Sequence, residues 1–573
     1  MKTRRPGIVQ LNLTHAYASA LLVCAAGSLL QACGQGVPLT PTAATADTAA
    51  TSTTTTTNTT TTTTVATPNP TTATTDVTIT VDATASGPAV NRLVLGSNVQ
   101  WVYGGDNLLT AESTNFDPAM LALVQNMQPS VLRYPGGNQS DLYDWTAGVG
   151  PLSDRGTNIQ SGTNQREITY MGSGELLMLA HTLGAQPLFT VNVIGGTAAE
   201  AAAWVRQTNV TGLRTAAGVL LPKVEYWEIG NEPYLPNPEG LQPNTCELAP
   251  AVYAARINAF TQAMRAVDPT IKIGIALATD VRNGIAFVSP GCKGFSTTVL
   301  GALTQAIDFV SVHDAYLPYA QTDHPATEEF SAAMAATESI QSDLAATRAL
   351  LQPFARYRSV PFAITEYNAL FNPRPGSAYV DSMASPMGAL YVADALRFFA
   401  GRDDILMANT WSLSANDHWG AIHAATSASG PYGRPAYEVF RLYGAALQGV
   451  RLTASVQSPT FDAPNLGYGA AATGLPLITT LVTKTTSAAG AQTLRALIIN
   501  KDYKLAHVAG IRVANATVSS AQVSLLTAPD VLQTDDLPGA MQRTDSTLAA
   551  ASLPIVNLPA HSIALVTLQL TTP

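Results

Sequence analysis

The sequence predicts an α/β fold, a (β/α)8 TIM barrel, followed by a C-terminal antiparallel β-sandwich. The first observation is a regular alternation of apolar, strand-like runs with stretches that carry apolar residues at helical spacing. Eight such pairs occur within residues 93–447, and eight β-then-α units describe a parallel sheet closed as a barrel. The second is a change after Gly449, where short runs separated by Gly, Asn, Asp and Pro are typical of a sandwich. A doubly wound sheet competes, but no Gly-x-Gly-x-x-Gly motif follows an early strand.

The elements of the barrel are predicted in chain order from these runs. Strands are expected at 93–99, 130–134, 187–193, 224–229, 271–276, 308–313, 360–365 and 405–411. Helices are expected at 118–127, 175–183, 198–206, 249–267, 297–307, 331–356, 387–399 and 436–447. The sandwich, residues 448–573, is expected to contain strands at 477–482, 493–499, 509–513, 522–527 and 563–568. Residues 77–92 contain one further strand, at 77–81, which could pair back into the sandwich.

The amino-terminal residues 1–33 have the pattern of an export signal. A basic start is followed by an apolar run, residues 17–30, that is too short to span a bilayer. The run ends in Leu30-Gln-Ala-Cys-Gly34, which resembles the lipobox of bacterial lipoproteins and implies that Cys33 is acylated. Residues 34–76, mostly Thr, carry almost no large apolar side chains and are predicted to be a disordered tether. We therefore expect an exported protein that a lipid alone holds to the bacterial cell envelope, at the outer membrane or periplasmic face.

Composition excludes several classes of partner. The net charge of −9 argues against a nucleic-acid partner. No cofactor is predicted, and His418 and His423 lack a third ligand, so no metal is predicted either. Cys246 and Cys292 remain once the signal and the anchor have taken the other two cysteines. In an exported protein they are expected to form a disulfide, the alternative being two buried thiols.

Two carboxylates follow predicted barrel strands, at the end where enzymes of this fold keep their chemistry. Glu232 lies in Asn231-Glu-Pro233 after strand four, and Glu366 follows strand seven. Two carboxylates at one barrel mouth suit glycoside hydrolysis, with one as acid/base and the other as nucleophile of a retaining mechanism. Glu228, on the same strand face as Glu232, is expected to line the barrel interior in a salt bridge with Arg133, although Arg133 could equally hold Glu366 ionised.

Polar and aromatic residues at the other strand ends are predicted to bind the sugar. His313 could instead be a core histidine, and Trp101 and Trp411 could be core aromatics. The predicted substrate-binding set is Arg133, Asn138, Asn192, Asn231, His313, Tyr316, Trp411 and Trp101.

The motifs around these residues resemble clan A glycoside hydrolases, in which Glu follows strand four within Asn-Glu and a second Glu follows strand seven. Leu132-Arg-Tyr-Pro-Gly-Gly-Asn138, Tyr143-Asp-Trp145 and Gly148-Val-Gly-Pro151 resemble the family 51 α-L-arabinofuranosidases. This resemblance implies a retaining hydrolase of plant or microbial oligo- or polysaccharides, with Glu232 as acid/base and Glu366 as nucleophile. The run from Trp227 to Pro233 is closer to β-glucuronidase and heparanase-like enzymes.

Three readings therefore stay open. The first is an arabinofuranosidase-like enzyme. The second is a β-glucuronidase/heparanase-like or β-xylosidase-like hydrolase of the same clan. The third belongs to another class: a non-catalytic carbohydrate-binding lipoprotein on a barrel that has lost its activity. The presence of both Glu232 and Glu366 at the expected strand positions favours an enzyme.

Overall fold

The structure, a computed structural model, describes residues 75–236, 245–415, 417–424, 429–534, 537–548 and 553–571. The predicted signal, the lipobox with Cys33 and nearly all of the Thr-rich segment lie outside the described residues. Within the described ranges, none of the helices is both long enough and apolar enough to cross a membrane.

Eight parallel strands close into a barrel, which confirms the predicted fold class. Each strand pairs with the next along the chain, and strand eight pairs with strand one. Strands one to eight are Gly96–Asn98, Val131–Tyr134, Gln186–Val191, Tyr226–Ile229, Lys272–Ala276, Phe309–Val312, Phe362–Leu370 and Ile405–Thr410.

The barrel interior changes character from one layer of side chains to the next. One layer is apolar and consists of Val131, Leu188, Phe309, Ala363 and Met407. Strand residues two apart face the same side, so the positions two residues later form the next layer towards the carboxyl ends. That layer is buried and polar: Arg133, Thr190, Ser311, Thr365 and Asn409. The apolar layer fills the barrel nearer the amino ends of the strands. The polar layer lies nearer their carboxyl ends and provides the floor of the candidate site.

Helices follow the strands around the outside of the barrel. Their bounds are Pro118–Met127, Ser173–Leu183, Ala198–Val205, Pro250–Val267, Phe295–Ala302, Ala326–Met334, Ala336–Leu351, Pro386–Ala400 and Pro435–Ala446, with a π-helix at Arg206–Gly212 and a distorted helical turn at Val102–Asn107. Short 3-10 helices lie at Arg92–Leu95, Gly137–Leu142, Trp145–Gly148, Leu152–Asp154, Pro290–Cys292 and Ser382–Ala384.

Several predicted elements have other bounds in the structure, and contacts with distant or neighbouring residues accompany three of the differences. The helix predicted at 331–356 is two helices, Ala326–Met334 and Ala336–Leu351, which meet at Ala335. The carbonyl of Met334, at the end of the first helix, accepts a hydrogen bond from Lys501 Nζ at 3.0 Å. Strand one is shorter than predicted, since residues 92–95 form a 3-10 helix. Strand seven runs on to Leu370, because its second half pairs with an additional strand, Ala315–Pro318.

Two sheets form the C-terminal sandwich. The larger has the order Val450–Leu452, Ile478–Thr486, Gln492–Asn500, Ile563–Thr571, Thr517–Thr527 and Gln542–Leu548. The smaller has the order Ala454–Gln457, Val77–Asp82, His507–Ala514 and Ile555–Leu558. The strand that precedes the barrel therefore lies inside the smaller sheet, antiparallel to one neighbour and parallel to the other. Apolar side chains of both sheets, Ile79 and Ile498 among them, form the core between them.

Four small sheets extend the loops. They are Thr157–Ile159 with Arg166–Ile168, Val281–Arg282 with Ile285–Ala286, Thr460–Ala463 with Ala472–Pro476, and the three-stranded set Ser414–Ala415, Ile422–His423 and Tyr432–Gly433.

A buried ion cluster joins the barrel to the sandwich. Asp394, on the helix Pro386–Ala400, accepts hydrogen bonds from Arg397 Nε and from Lys501 Nζ of the sandwich, both at 2.5 Å. Burial opposes the charge of Asp394, but Arg397 and Lys501 outweigh it and hold the pKa of this carboxyl well below its usual range.

Candidate active site

Arg133 is the centre of the candidate site. Its fully buried guanidinium donates from Nε to Glu228 Oε2 at 2.8 Å and from Nη1 to Glu366 Oε1 at 2.9 Å. It also donates to the side-chain oxygens of Asn98 and Asn231, both at 2.9 Å. Arg133 thus contacts both Glu228 and Glu366, the two roles weighed for it from the sequence.

Glu366 sits where the pairing of strand seven is irregular. The register between strands seven and eight shifts between Ile364 and Tyr367, and such irregularities re-aim side chains. One carboxylate oxygen accepts from Arg133, and the other accepts from the hydroxyl of Tyr316 at 2.9 Å. Tyr316 comes from the additional strand beside strand seven, opposite Asn368. Glu366 is buried and fixed at both oxygens.

Glu232 lies in a tight turn after strand four. Gly230 has φ +76°, and a Cβ there would come within 2.2 Å of Val193 Cγ1, so the turn requires glycine. Glu232 itself has φ +34°, a conformation that non-glycine residues rarely adopt and that is often found at functional sites. Its side chain is 19% exposed against 5% for Glu366, so Glu232 is the carboxylate open to the cleft.

His313 links the two carboxylates. Its Nδ1 lies 2.8 Å from Glu232 Oε1 and 3.8 Å from Glu366 Oε2, and its Nε2 lies 3.0 Å from Thr365 Oγ1. Because both carboxylate oxygens lie at these distances from one nitrogen, they are at most about 6.6 Å apart. Retaining glycosidases keep their carboxyl groups about 5–5.5 Å apart and inverting enzymes about 6.5–9.5 Å apart.

The charges of the cluster shift several pKa values. Burial opposes the charge of Glu228, but Arg133 and His313 outweigh it and lower its pKa. Burial also opposes the charge of Arg133, yet the carboxylates of Glu228 and Glu366 outweigh it and raise the pKa of Arg133 above its usual value. Burial disfavours charged His313 too, but the carboxylates of Glu366 and Glu232 raise its pKa above the usual 6.5. Burial and the adjacent Glu366 raise the pKa of Tyr316 well above 10, so its hydroxyl stays protonated and donates.

Most of the predicted site residues meet at this place. Asn138 Oδ1 accepts a hydrogen bond from Asn231 Nδ2 at 2.9 Å. This bond connects the loop after strand two to the residue that precedes Glu232. Trp411, after strand eight, packs over Gly137, where a Cβ would meet its ring at 2.5 Å. The Oδ1 atom of Asn192 accepts from the backbone N–H groups of Gly195 and Gly196 and forms a turn, rather than bonding to the Arg133 cluster.

The structure contradicts the prediction for Trp101. Its side chain is completely buried in the core, with its ring centroid 6.1 Å from that of Tyr143. A ring without an exposed face cannot stack on a sugar, so Trp101 is a core residue.

Two polar residues of the site were missed in the sequence. Asn98, at the end of strand one, accepts from Arg133 and donates to the carbonyl of Thr365 at 2.9 Å. Asp141, in the 3-10 helix after Asn138, is buried, and burial together with the nearby Glu247 raises its pKa well above the usual value. The available signal for Asn98 was an amide side chain near the end of the strand predicted at 93–99.

The loops after strands four and five are joined by the predicted disulfide. Cys246 and Cys292 are bonded, with their Cα atoms 5.4 Å apart, which confirms the pairing. Across the described parts of the chain, no group of three or more His, Cys, Asp or Glu side chains is placed to hold a metal ion.

Residues 123–316 match the family model described as the alpha-L-arabinofuranosidase 1 domain. The chain is 29% identical over 251 residues to the probable alpha-L-arabinofuranosidase C of Aspergillus terreus. These aligned residues make up 42% of this chain and 48% of that protein. It therefore spans about half the length of the first curated relatives it matches. It is also 24% identical over 419 residues to an intracellular exo-alpha-(1->5)-L-arabinofuranosidase of Halalkalibacterium halodurans, covering 67% of this chain and 78% of that one.

The fold is also that of a solved arabinofuranosidase. The crystal structure of alpha-L-arabinofuranosidase from Thermotoga maritima in its arabinose complex superposes with a TM-score of 0.70 at 23% identity, covering 86% of this chain and all of that one. By sequence, residues 123–316 resemble the alpha-L-arabinofuranosidase 1 domain, and by fold the barrel and sandwich resemble those of solved alpha-L-arabinofuranosidases.

Proposed function

We propose that the protein is a retaining α-L-arabinofuranosidase with Glu366 as nucleophile and Glu232 as acid/base. The observation that carries this proposal is the shared contact of both carboxylates with His313. It keeps the nearest oxygens within about 6.6 Å, a span that suits direct attack and leaves little room for the intervening water of an inverting enzyme.

The first displacement forms a glycosyl-enzyme ester. Glu366, hydrogen-bonded by Arg133 and oriented by the hydroxyl of Tyr316, attacks the anomeric carbon. The bond to the leaving oxygen breaks as Glu232 donates its proton to that oxygen.

The second displacement releases the sugar. Glu232, now ionised, accepts a proton from water, and the resulting hydroxide attacks the anomeric carbon as the ester bond to Glu366 breaks. Two inversions give net retention of configuration.

Three considerations support an arabinofuranoside over the other substrates and classes. The matched family model and the relatives named above carry arabinofuranosidase names. A glucuronide would need a cation for its carboxylate, whereas Arg133 is fully buried and bonds to Glu228, Glu366, Asn98 and Asn231. A non-catalytic binding protein would have no use for two carboxylates that are each fixed by hydrogen bonds at a reactive spacing.

A panel of aryl glycosides tests the sugar and the roles together. We expect turnover of the aryl α-L-arabinofuranoside above the xyloside, glucuronide and glucoside, with retention of configuration in the first product by NMR. An activated fluoro-arabinofuranoside should trap an ester on the peptide that contains Glu366. The Glu232→Ala variant should lose most activity on poor leaving groups and recover with azide on activated ones.

The control for these variants is Glu328→Gln, which changes an exposed carboxylate on the helix Ala326–Met334 and should leave all rates unchanged. Inversion in the first product, or a label on another peptide, would show that the assignment is wrong.

We further propose that the enzyme is exported and anchored by a lipid on Cys33. The support is the export pattern of residues 1–33 and the disulfide between Cys246 and Cys292, which is typical of oxidising compartments. In cells fed a radioactive fatty acid the protein should become labelled, and Cys33→Ser should abolish the label. A wild-type chain without label would refute the anchor.

A further inference from the structure

The disulfide between Cys246 and Cys292 is linked by backbone hydrogen bonds to the turn that carries Glu232. The N–H of Glu247, the residue after Cys246, donates to the carbonyl of Leu235 at 2.7 Å. The N–H of Leu235 donates to the carbonyl of Glu232 at 2.9 Å and closes the turn. Two successive hydrogen bonds therefore connect the residue beside the disulfide to the acid/base.

Glu232 needs such support because its backbone is strained. Its φ of +34° is a value that residues with a side chain rarely adopt. Conformations of this kind persist only where the surrounding structure over-determines them. If the support loosens, the backbone of Glu232 can relax to a negative φ. This change would move its carboxyl away from its place 2.8 Å from His313 Nδ1.

The other end of the disulfide lies in a loop that is anchored at several points. Cys292 is buried and ends a 3-10 helix in the loop after strand five. In this loop, the N–H of Gly294 donates to both carboxylate oxygens of Asp280 at 3.0 Å. Arg282 of the same loop donates from Nη1 to the carbonyl of His313 at 3.2 Å. The disulfide therefore connects the acid/base turn to a loop that also holds the histidine contacting both carboxylates.

Aromatic packing gives the turn a second, noncovalent link to the same loop. Tyr234, two residues after Glu232, is buried, and its ring centroid lies 5.9 Å from that of Phe287 and 6.0 Å from that of Phe295. Because this packing does not depend on the disulfide, the turn should stay in place without it but with more freedom. We therefore expect that breaking the disulfide reduces proton donation in part rather than abolishing it.

We propose that this disulfide is a positioning element for proton donation by Glu232. The inference rests on the proposed function, in which Glu232 protonates the leaving oxygen. A displacement of about 1 Å can cost roughly 100-fold in rate, and general acid catalysis contributes about 10²–10⁴-fold. The nucleophile Glu366 is held by Arg133 and Tyr316, which lie outside the two bridged loops, so it should keep its position.

The test compares leaving groups on wild type and on Cys246→Ala/Cys292→Ala through kcat/KM, which reports the first displacement. On phenyl α-L-arabinofuranoside, whose leaving group needs a proton, kcat/KM should fall about tenfold in the double variant. On the activated dinitrophenyl arabinofuranoside, whose leaving group departs without a proton, kcat/KM should stay within about twofold of wild type. Wild type treated with a phosphine reductant should behave like the double variant, so the result does not depend on how that variant folds. The part-exposed Cys246 gives the reductant access.

Two controls separate positioning from general destabilisation. Tyr226→Leu changes a part-buried aromatic at the amino end of strand four, away from the barrel mouth, and should affect both substrates equally. The reductant should leave the activity of Cys246→Ala/Cys292→Ala unchanged, because that variant lacks both bridging sulfurs. An equal loss on both substrates when the disulfide is removed, or no loss on the phenyl substrate, would overturn the proposal.

Hydrogen exchange measures the turn without relying on catalysis. The amides of Leu235 and Glu247 should exchange faster in the reduced protein than in the oxidised protein, because their hydrogen bonds lie beside the disulfide. Amides of strand seven should exchange at the same rate in both.

Failure of the positioning role is distinguishable from failure of the proposed function. If wild type cleaves an aryl glycoside of the panel, the leaving-group comparison on that sugar decides, and its failure leaves the hydrolase intact. If wild type cleaves none of them, the proposed function is wrong and hydrogen exchange decides. Equal exchange in the oxidised and reduced protein would then overturn the link between disulfide and turn, and faster exchange in the reduced protein would support it.

Discussion

Replacing Arg133 with methionine should destabilise the barrel strongly and in a pH-dependent way. The change removes four hydrogen bonds of 2.8–2.9 Å and leaves two buried carboxylates, Glu228 and Glu366, without their cation. Removing one partner of a buried ion pair costs about 3–5 kcal/mol. At roughly 2 °C per kcal/mol for a domain of this size, the melting temperature should fall by about 6–10 °C at pH 7.

The pH dependence follows from Glu228. Arg133 and His313 hold its folded pKa below the usual 4.5, so its contribution to stability is present above pH 4.5 and is lost as pH falls through the folded pKa. In Arg133→Met, burial without the guanidinium should raise that pKa instead. The difference between wild type and variant should therefore be largest at neutral pH and shrink towards pH 4.

Scanning calorimetry of wild type and Arg133→Met at pH 4, 5, 6 and 7 measures both effects. The double variant Arg133→Met/Glu228→Leu also removes one of the two buried carboxylates that Arg133→Met leaves unpaired. It should therefore recover part of the lost melting temperature. A fall of less than 2 °C at pH 7, or the same fall at every pH, would refute the reasoning.

Three further predictions concern other contacts of the site and of the domain boundary. Tyr316→Phe removes a hydrogen bond to the charged Glu366, worth about 1.5–3 kcal/mol, so kcat on the aryl arabinofuranoside should fall roughly 10- to 150-fold; a change within twofold would show that Tyr316 does not orient the nucleophile. The pKa of His313 is raised above 6.5, so its contribution to stability is present below pH 6.5 and is lost as pH rises through the folded pKa. The advantage of wild type over His313→Gln in melting temperature should thus shrink as pH rises above 6.5, and a constant difference would contradict this. Lys501→Met leaves Asp394 with Arg397 as its one cation of this cluster. The free energy of unfolding at pH 7 should fall by about 2–3 kcal/mol, less than for a buried carboxylate that has lost every cation. An unchanged thermal transition would mean that the ion pair between barrel and sandwich contributes nothing to stability.

Local pattern in the sequence predicted the elements whose neighbours in space are also neighbours in sequence. The helix Pro118–Met127 begins at its proline, with Asp117 as N-cap, and has the predicted bounds. The split at Ala335 could not be predicted in this way, because Lys501, more than 160 residues away, bonds to the carbonyl at the break. The extension of strand seven depends equally on a distant partner, Ala315–Pro318.

The site was predictable to the extent that strand ends could be located. Glu232 and Glu366 were found because each is the first carboxylate after a recognisable barrel strand, and Glu228 because it shares strand parity with Glu232. Trp101 was assigned wrongly, since the sequence does not tell whether a ring after strand one faces the cleft or the core. Asn98 was overlooked because its role depends on Arg133, which reaches it from the neighbouring strand.

The strand Val77–Asp82 is the first part of the described body to be synthesised, yet it lies inside a sheet whose other members are all made after the barrel. Between the two, more than 350 residues must leave the ribosome, and during that time this strand has no native partner. All eight barrel strands are made before most of the sandwich, whereas the sandwich can form only when both ends of the body are present. A stalled or C-terminally clipped chain would thus lack the partners of the strand Val77–Asp82 and carry an unpaired β-strand, a known template for aggregation. Synthesis of the sandwich strands supplies the partners that cover the edges of Val77–Asp82 and so prevents its pairing with other chains.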